Sequence, residues 1–338
     1  MPIVNVRLVG WLEPLLEVVA KNKTRVVCPI IDIINDNTFS YTQSLEPHWG
    51  AFNWDLHFRW LSLNGQLLKE RLKDIIEPFR TPAMAGGLFS MNRDYFFELG
   101  GYDDQMRIWG GENLELSFRV WQCGGSIEIV PCSHVGHLFR ETSPYTFPGG
   151  VDEVLYGNLV RVALVWMDEW AEFFFKFNPG AARLRDKQQV RSRLALRKEL
   201  QCKNFKWYLD NVWPEHFFPK DNQFFGKIVH LVTKKCIMRP PIKTMYSQIS
   251  TYLILETCVP RPILTQMFIM TKTGVIMTDE SLCLDIVEND TQHTRPEIKI
   301  MACNGLDKQK WQYNVKVRLI KMYIVSTSSF QSNFYQII

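Results

Sequence analysis

"WGGENLELSFRVWQCGGSIEIVPC" (residues 109–132) decides the fold of the first part of the chain. Leu114, Phe118 and Trp121 recur there at i, i+4 and i+7, which puts three apolar side chains on one face of a helix. Glu112-Asn113 opens that helix and Gly124-Gly125 closes it. "SIEIV" (126–130) then alternates apolar and polar residues with the period of a strand. A helix feeding into a strand is a repeating unit of α/β folds. The pair Gly110-Gly111, between Trp109 and Glu112, poses a further question. Glycine costs conformational entropy and is kept where the backbone turns or something comes close, so something approaches this turn.

Upstream, "RVVCPIIDII" (25–34) is a continuous apolar run, as in a strand buried on both faces. "GWLEPLLEVVAKN" (10–22) before it has helical spacing, and residues 191–213 read as helical again, ending near Pro214. After about Pro219 helical periodicity gives way to short strand-like runs such as "KIVHLV" and "TYLILETC". A weak repeat appears there: Cys283 follows Cys236 by 47 positions and Cys303 follows Cys258 by 45. Repeats of this length built from short strands predict a trefoil or propeller type of fold, with a domain boundary near 220.

The 338 residues suit about two domains at roughly 150 residues each, and 46% hydrophobic composition supplies ample core. A net charge of +4 without a Lys/Arg block argues against nucleic-acid binding. No stretch reaches the roughly 18 apolar residues of a membrane span, and "MPIVNVRLVG" does not read as a signal peptide. The eight cysteines nevertheless suit a lumenal or extracellular protein. Asn22-Lys23-Thr24 and Asn289-Asp290-Thr291 are N-glycosylation triplets, a pattern also common by chance.

Several side chains carry chemistry, each beside a plainer alternative. His137 in "PCSHVGHLFR" (131–140) sits just past the strand 126–130, where open α/β sheets place ligands; with His134 it reads either as a metal or phosphate contact or as a satisfied histidine. Arg140 and Tyr145 flank a Pro/Gly-rich segment that is either a lid with an arginine for a diphosphate or an ordinary loop. Asp55 and His57 share a face only if 51–60 is a strand, and the aromatic spacing of "FNWDLHFRW" favours packing over metal binding. Trp109 and Glu112 are either a hydrophobic plug with a capping acid or a platform and carboxylate for a sugar.

Together "GWLEPLLE", "FNWDLHFRW", "PAMAGGLFSMNRDYFFELGGYD", "WGGENLELSFRVWQCGGSIEIVPC", "VGHLFR", "PYTFPGG", "VWMDEW" and "KNFKWYLDNVWPE", in this order over residues 10 to 217, resemble the polypeptide N-acetylgalactosaminyltransferases. The resemblance implies an α/β chain: a partial GT-A glycosyltransferase fold followed by an all-β ricin-type β-trefoil. Its expected domains are the C-terminal portion of the catalytic domain at 1–218, a linker at 219–225 and a truncated lectin domain at 226–338. It implies manganese as cofactor, UDP-GalNAc as donor, and transfer of GalNAc with retained configuration to Ser/Thr of acceptor polypeptides. By the same resemblance Trp109, Glu112, Arg140 and Tyr145 contact the donor, His137 ligates the metal, and Phe52, Trp54 and Phe139 pack against the acceptor.

In the second part, Cys283-Leu284-Asp285 and Gln309-Lys310-Trp311 match the family's lectin repeat signatures, which assigns Asp285 and Asn304 to binding GalNAc-glycopeptides. The first repeat departs from them, with Cys236-Ile237-Met238 lacking the aspartate and Phe268 in place of the tryptophan. The resemblance also implies the disulfides Cys123–Cys202, Cys236–Cys258 and Cys283–Cys303. It places the full-length family in the Golgi, as type II membrane proteins with a lumenal catalytic domain.

The family's Asp-x-His precedes "WLEPLL"; "MPIVNVRLV" holds neither residue. The expectation is therefore a chain without the nucleotide-binding half, the uridine pocket and two manganese ligands. At the other end, the expectation is a third lectin repeat left incomplete. A catalytically dead, GalNAc-binding lectin-like isoform is the alternative reading of function.

Overall fold

The computed structural model describes residues 5–7, 10–44, 48–63, 65–139, 145–219, 223–240, 251–279, 282–287, 297–304, 306–314, 316, 319–322 and 335–337. It divides into two compact units, Met1–Pro214 and Glu215–Ile338. Among the described residues no helix is long and apolar enough to cross a membrane.

In the first unit β1 (Asn5–Arg7) is followed by α1 (Glu13–Lys21), β2 (Arg25–Ile34), β3 (Tyr41–Thr42) and the hairpin β4 (His48–Phe52) and β5 (Phe58–Ser62). Then come α2 (Gly65–Lys73), β6 (Phe79–Arg80), α3 (Arg93–Glu98), α4 (Glu112–Gln122) and β7 (Ser126–Leu138). The unit closes with α5 (Val151–Trp166), α6 (Trp170–Phe177), α7 (Pro179–Ala182), α8 (Arg191–Glu199) and α9 (Phe205–Asn211). The sheet runs β1-β7-β2-β3, with β6 also on β7, and β2 and β7 are its parallel pair. The apolar run 25–34 is the whole of β2, and α1 covers it through Leu15 and Val18 against Val27 and Val130.

The strand expected at 126–130 continues to Leu138, so His137 lies inside β7 rather than beyond it. What hides this in the sequence is a bulge. Pro29 pairs with Val130 but Ile30 with His134, so residues 131–133 have no partners on β2. The helical stretch 191–213 is two helices, α8 and α9, broken around Cys202. Cys202 is bonded to Cys123 at the end of α4, as the resemblance implied. A bridge closing a loop of this length stabilises by roughly 3–5 kcal/mol.

Phe52 packs edge-on against Phe118 (5.0 Å) and Trp213 (5.0 Å), and Tyr208 joins them with its hydroxyl donating to the Pro82 carbonyl at 2.8 Å. Burial raises the Tyr208 phenol well above its ordinary pKa. Ion pairs brace the helices around this aromatic core. Glu115 of α4, 2% exposed, receives Arg119 (2.7 Å), Arg193 of α8 (3.1 Å) and the Trp166 indole N–H of α5 (3.1 Å).

Two cysteines are unpaired, Cys28 buried in β2 and Cys132 exposed in the bulge. Burial pushes the Cys28 thiol up to about 12, so it stays protonated across the physiological range. Alkylation of the native protein with iodoacetamide is expected to label Cys132 and leave Cys28 unmodified until denaturant is added. Peptide mapping showing prompt labelling of Cys28 would refute its burial.

The second unit is all-β. Its strands are β8 (Phe224–Gly226), β9 (Ile228–His230), β10 (Cys236–Met238), β11 (Thr251–Tyr252), β12 (Ile254–Glu256), β13 (Phe268–Met270), β14 (Ile276–Met277), β15 (Leu282–Val287), β16 (Glu297–Ala302), β17 (Trp311–Asn314), β18 (Leu319–Met322) and β19 (Tyr335–Ile337). Among the described residues they pair antiparallel in two six-stranded sheets, β12-β10-β9-β19-β18-β17 and β11-β16-β15-β14-β13-β8. Strand β8 starts inside the stretch read as a linker. Phe224, Ile237, Phe268, Met270, Leu284 and Trp311 are among the side chains that form the core.

The internal repeat is visible at the level of single hydrogen bonds. Gln266 Nε2 donates to the Thr257 carbonyl (2.9 Å) while its Oε1 accepts from the Val259 N–H (3.0 Å). Gln309 does the same to Ala302 (3.0 Å) and Asn304 (2.8 Å). Each glutamine thus clamps the residues on either side of a disulfide cysteine, Cys258 or Cys303.

Candidate functional site

The loop before α4 carries Trp109 and Glu112, and its backbone accounts for the glycines. Ile108, Gly110 and Gly111 have φ of +56°, +101° and +86°, a region that favours glycine. A Cβ on Gly110 would lie 2.4 Å from Leu155 Cδ1, and one on Gly111 3.2 Å from Leu159 Cδ2. What approaches the turn is therefore α5.

That helix also clamps the loop chemically. Asn158, 2% exposed, turns its Nδ2 to the carbonyls of Arg107 (2.9 Å), Trp109 (3.3 Å) and Gly110 (2.9 Å), and its Oδ1 accepts from the Arg107 N–H (2.9 Å). Arg161 holds Asp103, earlier in the same loop, through two hydrogen bonds of 2.8 Å. With its backbone fixed, the loop leaves Trp109 51% exposed. Glu112 Oε2 accepts from the Gly110 N–H at 2.7 Å, so this acid braces the loop with one oxygen. Nearby, burial and then the Glu112 charge raise the Tyr102 phenol pKa.

A second group lies at the carboxyl ends of β2 and β7. His137 is level with Ile33 of β2 and packs on Phe139 with ring centroids 4.5 Å apart. Asp32, fully buried, receives the Ser44 N–H at 2.7 Å, His134 Nδ1 at 3.0 Å and the Tyr41 hydroxyl. His134, which the sequence left open between a ligand and a satisfied histidine, is thus partnered by a carboxylate. Burial, reinforced by the Asp32 hydrogen bond, raises the Tyr41 pKa. The contact fixes β7 just beyond its bulge. A slip of one residue there would turn His137 to the opposite face. Asp32 and Tyr41 carried no sequence signal, because a buried aspartate in an apolar strand announces nothing until its partners are known.

The remaining expected positions divide. Tyr145 is 38% exposed, and Arg140 lies outside the described residues. Phe52 and Trp54 are 0% exposed, Trp54 against Phe173 and Phe177. Both are core side chains in this structure. Asp55 and His57 fall in the turn between β4 and β5, not on a strand. Among the described residues no group of three or more His, Cys, Asp or Glu side chains could hold a metal ion. Manganese prefers several oxygen or nitrogen donors, and His137 offers one imidazole. The described residues therefore do not form a manganese centre by themselves.

In the second unit Asp285 is fully buried. Its Oδ2 accepts from Gln309 Nε2 at 2.9 Å and its Oδ1 lies 3.6 Å from Lys308 Nζ. Asn304, on the surface, uses its Oδ1 to accept from the Leu306 N–H at 3.0 Å.

Residues 8–96 match the family model for glycosyl transferase family 2, and residues 68–142 match the model described as the N-terminal domain of galactosyltransferase. The chain is 57% identical over 225 residues to polypeptide N-acetylgalactosaminyltransferase 3 of Drosophila melanogaster, covering 66% of this chain and 34% of the relative. With polypeptide N-acetylgalactosaminyltransferase 14 of Homo sapiens it shares 43% over 301 residues, 89% of this chain and 53% of the relative. The crystal structure of GalNAc-T7 with UDP, GalNAc and Mn2+ superimposes with a TM-score of 0.59 at 28% identity, covering 99% of this chain and 64% of that one. The chain belongs to the polypeptide N-acetylgalactosaminyltransferase family. It spans between a third and about half the length of the curated relatives named here. Its first unit has the mixed α/β, GT-A-like fold of this N-acetylgalactosaminyltransferase family.

Proposed function

We propose that the protein carrying this sequence transfers GalNAc from UDP-GalNAc to Ser/Thr hydroxyls of polypeptides with retained configuration. The acceptor oxygen bonds to the anomeric carbon, the bond to UDP breaks, and UDP leaves with the electron pair while its departing phosphate oxygen takes up the hydroxyl proton. The observation that carries the reading is Trp109. Half of a large aromatic side chain is held in solvent by a loop whose backbone is fixed on α5, beside a carboxylate. An indole face takes the apolar C–H groups of a pyranose while Glu112 accepts from its hydroxyls. Arg140 and Tyr145 would close over the diphosphate, His137 would face the metal, and Phe139 would meet the acceptor.

In the same reading residues 1–218 belong to a GT-A catalytic domain. A ricin-type β-trefoil follows, with its first strand, β8, beginning at Phe224, and binds GalNAc on glycopeptides through Asp285. The duplicated glutamine clamps support a trefoil. The disulfides suit the lumen of the Golgi, an oxidising compartment on the secretory route.

The test is incubation of the protein with UDP-GalNAc, manganese and a Ser/Thr peptide, followed by mass spectrometry. The expected product is a peptide carrying one or more N-acetylhexosamines, and an unmodified peptide would overturn the assignment. In a parallel arm, a GalNAc-glycopeptide is expected to bind and to be displaced by free GalNAc, with binding lost in Asp285→Ala.

A further inference from the structure

We infer that Asn22 is an N-glycosylation site, an assignment independent of the transferase reading. Asn22-Lys23-Thr24 has the acceptor spacing, but spacing alone is cheap; the local structure adds what is needed. Asn22 caps the end of α1 in an extended conformation (φ −153°, ψ 113°), and the chain turns there into β2, with the Arg25 N–H donating to the Asn22 carbonyl at 3.1 Å. Asn22 and Lys23 are exposed, and Lys23 leans away to Glu98 at 3.1 Å.

The side-chain amide is divided in its use. Its Oδ1 accepts from both the Thr24 N–H (3.0 Å) and the Thr24 hydroxyl (2.9 Å). Among the described residues its Nδ2 makes no hydrogen bond, so the nitrogen that must react is uncommitted at the surface. Two donors on the oxygen draw charge away from the nitrogen and make its N–H easier to deprotonate as a new bond forms. The threonine that supplies one of them is the third residue of the triplet. The three disulfides suit an oxidising compartment, the setting in which this modification is made.

The co-reactant is a lipid-diphosphate-linked oligosaccharide, delivered by the oligosaccharyl-transferring enzyme of that compartment. The Asn22 nitrogen bonds to the sugar's anomeric carbon. The carbon–oxygen bond to phosphate breaks, the lipid diphosphate leaves with the electron pair, and the amide proton passes to a base of the transferring enzyme. The glycan then leaves the turn into solvent, where α1 and β2 keep their packing.

The full chain, directed into the secretory pathway of cultured animal cells behind a cleavable signal, provides the test. Recovered from the lumenal fraction, it is treated with peptide N-glycosidase in heavy-oxygen water. The peptide spanning residues 22–24 is expected to carry a labelled aspartate at position 22. Asn22→Gln and Thr24→Ala are each expected to abolish that label, and Thr24→Ser to retain it. An unmodified Asn22 in disulfide-bonded chain would overturn the assignment. So would a label that survives in Thr24→Ala. Site-resolved peptides keep the result separate from Asn289, which lies outside the described residues.

Discussion

Glu115→Ala is expected to cost the first unit about 3–5 kcal/mol, the range for removing one partner from a buried ion cluster. The variant would leave Arg119, which has no exposed surface, and Arg193, which is nearly as buried, without their carboxylate, and would orphan the Trp166 indole N–H. Domains of this size hold only about 5–15 kcal/mol in total, and each kcal/mol moves the midpoint by about 2–4 °C. A drop of roughly 6–20 °C in the calorimetric Tm is therefore the expected reading. Glu115→Gln retains the shape and part of the hydrogen bonding and is expected to fall between. An unchanged Tm in the alanine variant would mean that the cluster is solvated in solution.

Trp109→Ala is expected to act on the opposite axis. The side chain is half in solvent and the loop is held by Asn158 and Arg161 rather than by the indole, so Tm should move by no more than about 1 °C. Loss of the stacking surface is expected to lower kcat/KM for GalNAc transfer about 100-fold, equivalent to roughly 2.7 kcal/mol. Trp109→Phe should recover part of that loss. A variant that transfers normally would remove Trp109 from the donor site, whatever the family assignment.

The contrast between these two side chains tracks what the sequence made legible. The strand 25–34 and the helix containing Leu114, Phe118 and Trp121 could be read because one is apolar throughout and the other keeps a regular stripe. Helix α5 could not. "VDEVLYGNLVRVALVW" buries ten of its sixteen residues, so the polar face that would reveal a helical period is mostly missing. Yet α5 supplies Asn158, Arg161 and the leucines that shape the turn at Trp109. The bulge at 131–133 likewise hid the true length of β7. The aromatic spacing around Phe52 and Trp54 favoured packing, and both side chains are buried. Trp109 and Glu112 were legible as a pair, but the helix that fixes them was not.

The two glutamine clamps of the second unit differ in one side-chain partner. Gln266 and Gln309 tie the same three-residue corner, but Gln309 also reaches Asp285, whereas in the sequence repeat the position of Asp285 is taken by Met238. The scaffolding bonds are made to the main chain and survive the loss of a carboxylate. A repeat can therefore lack the aspartate and still stand as masonry for its neighbours.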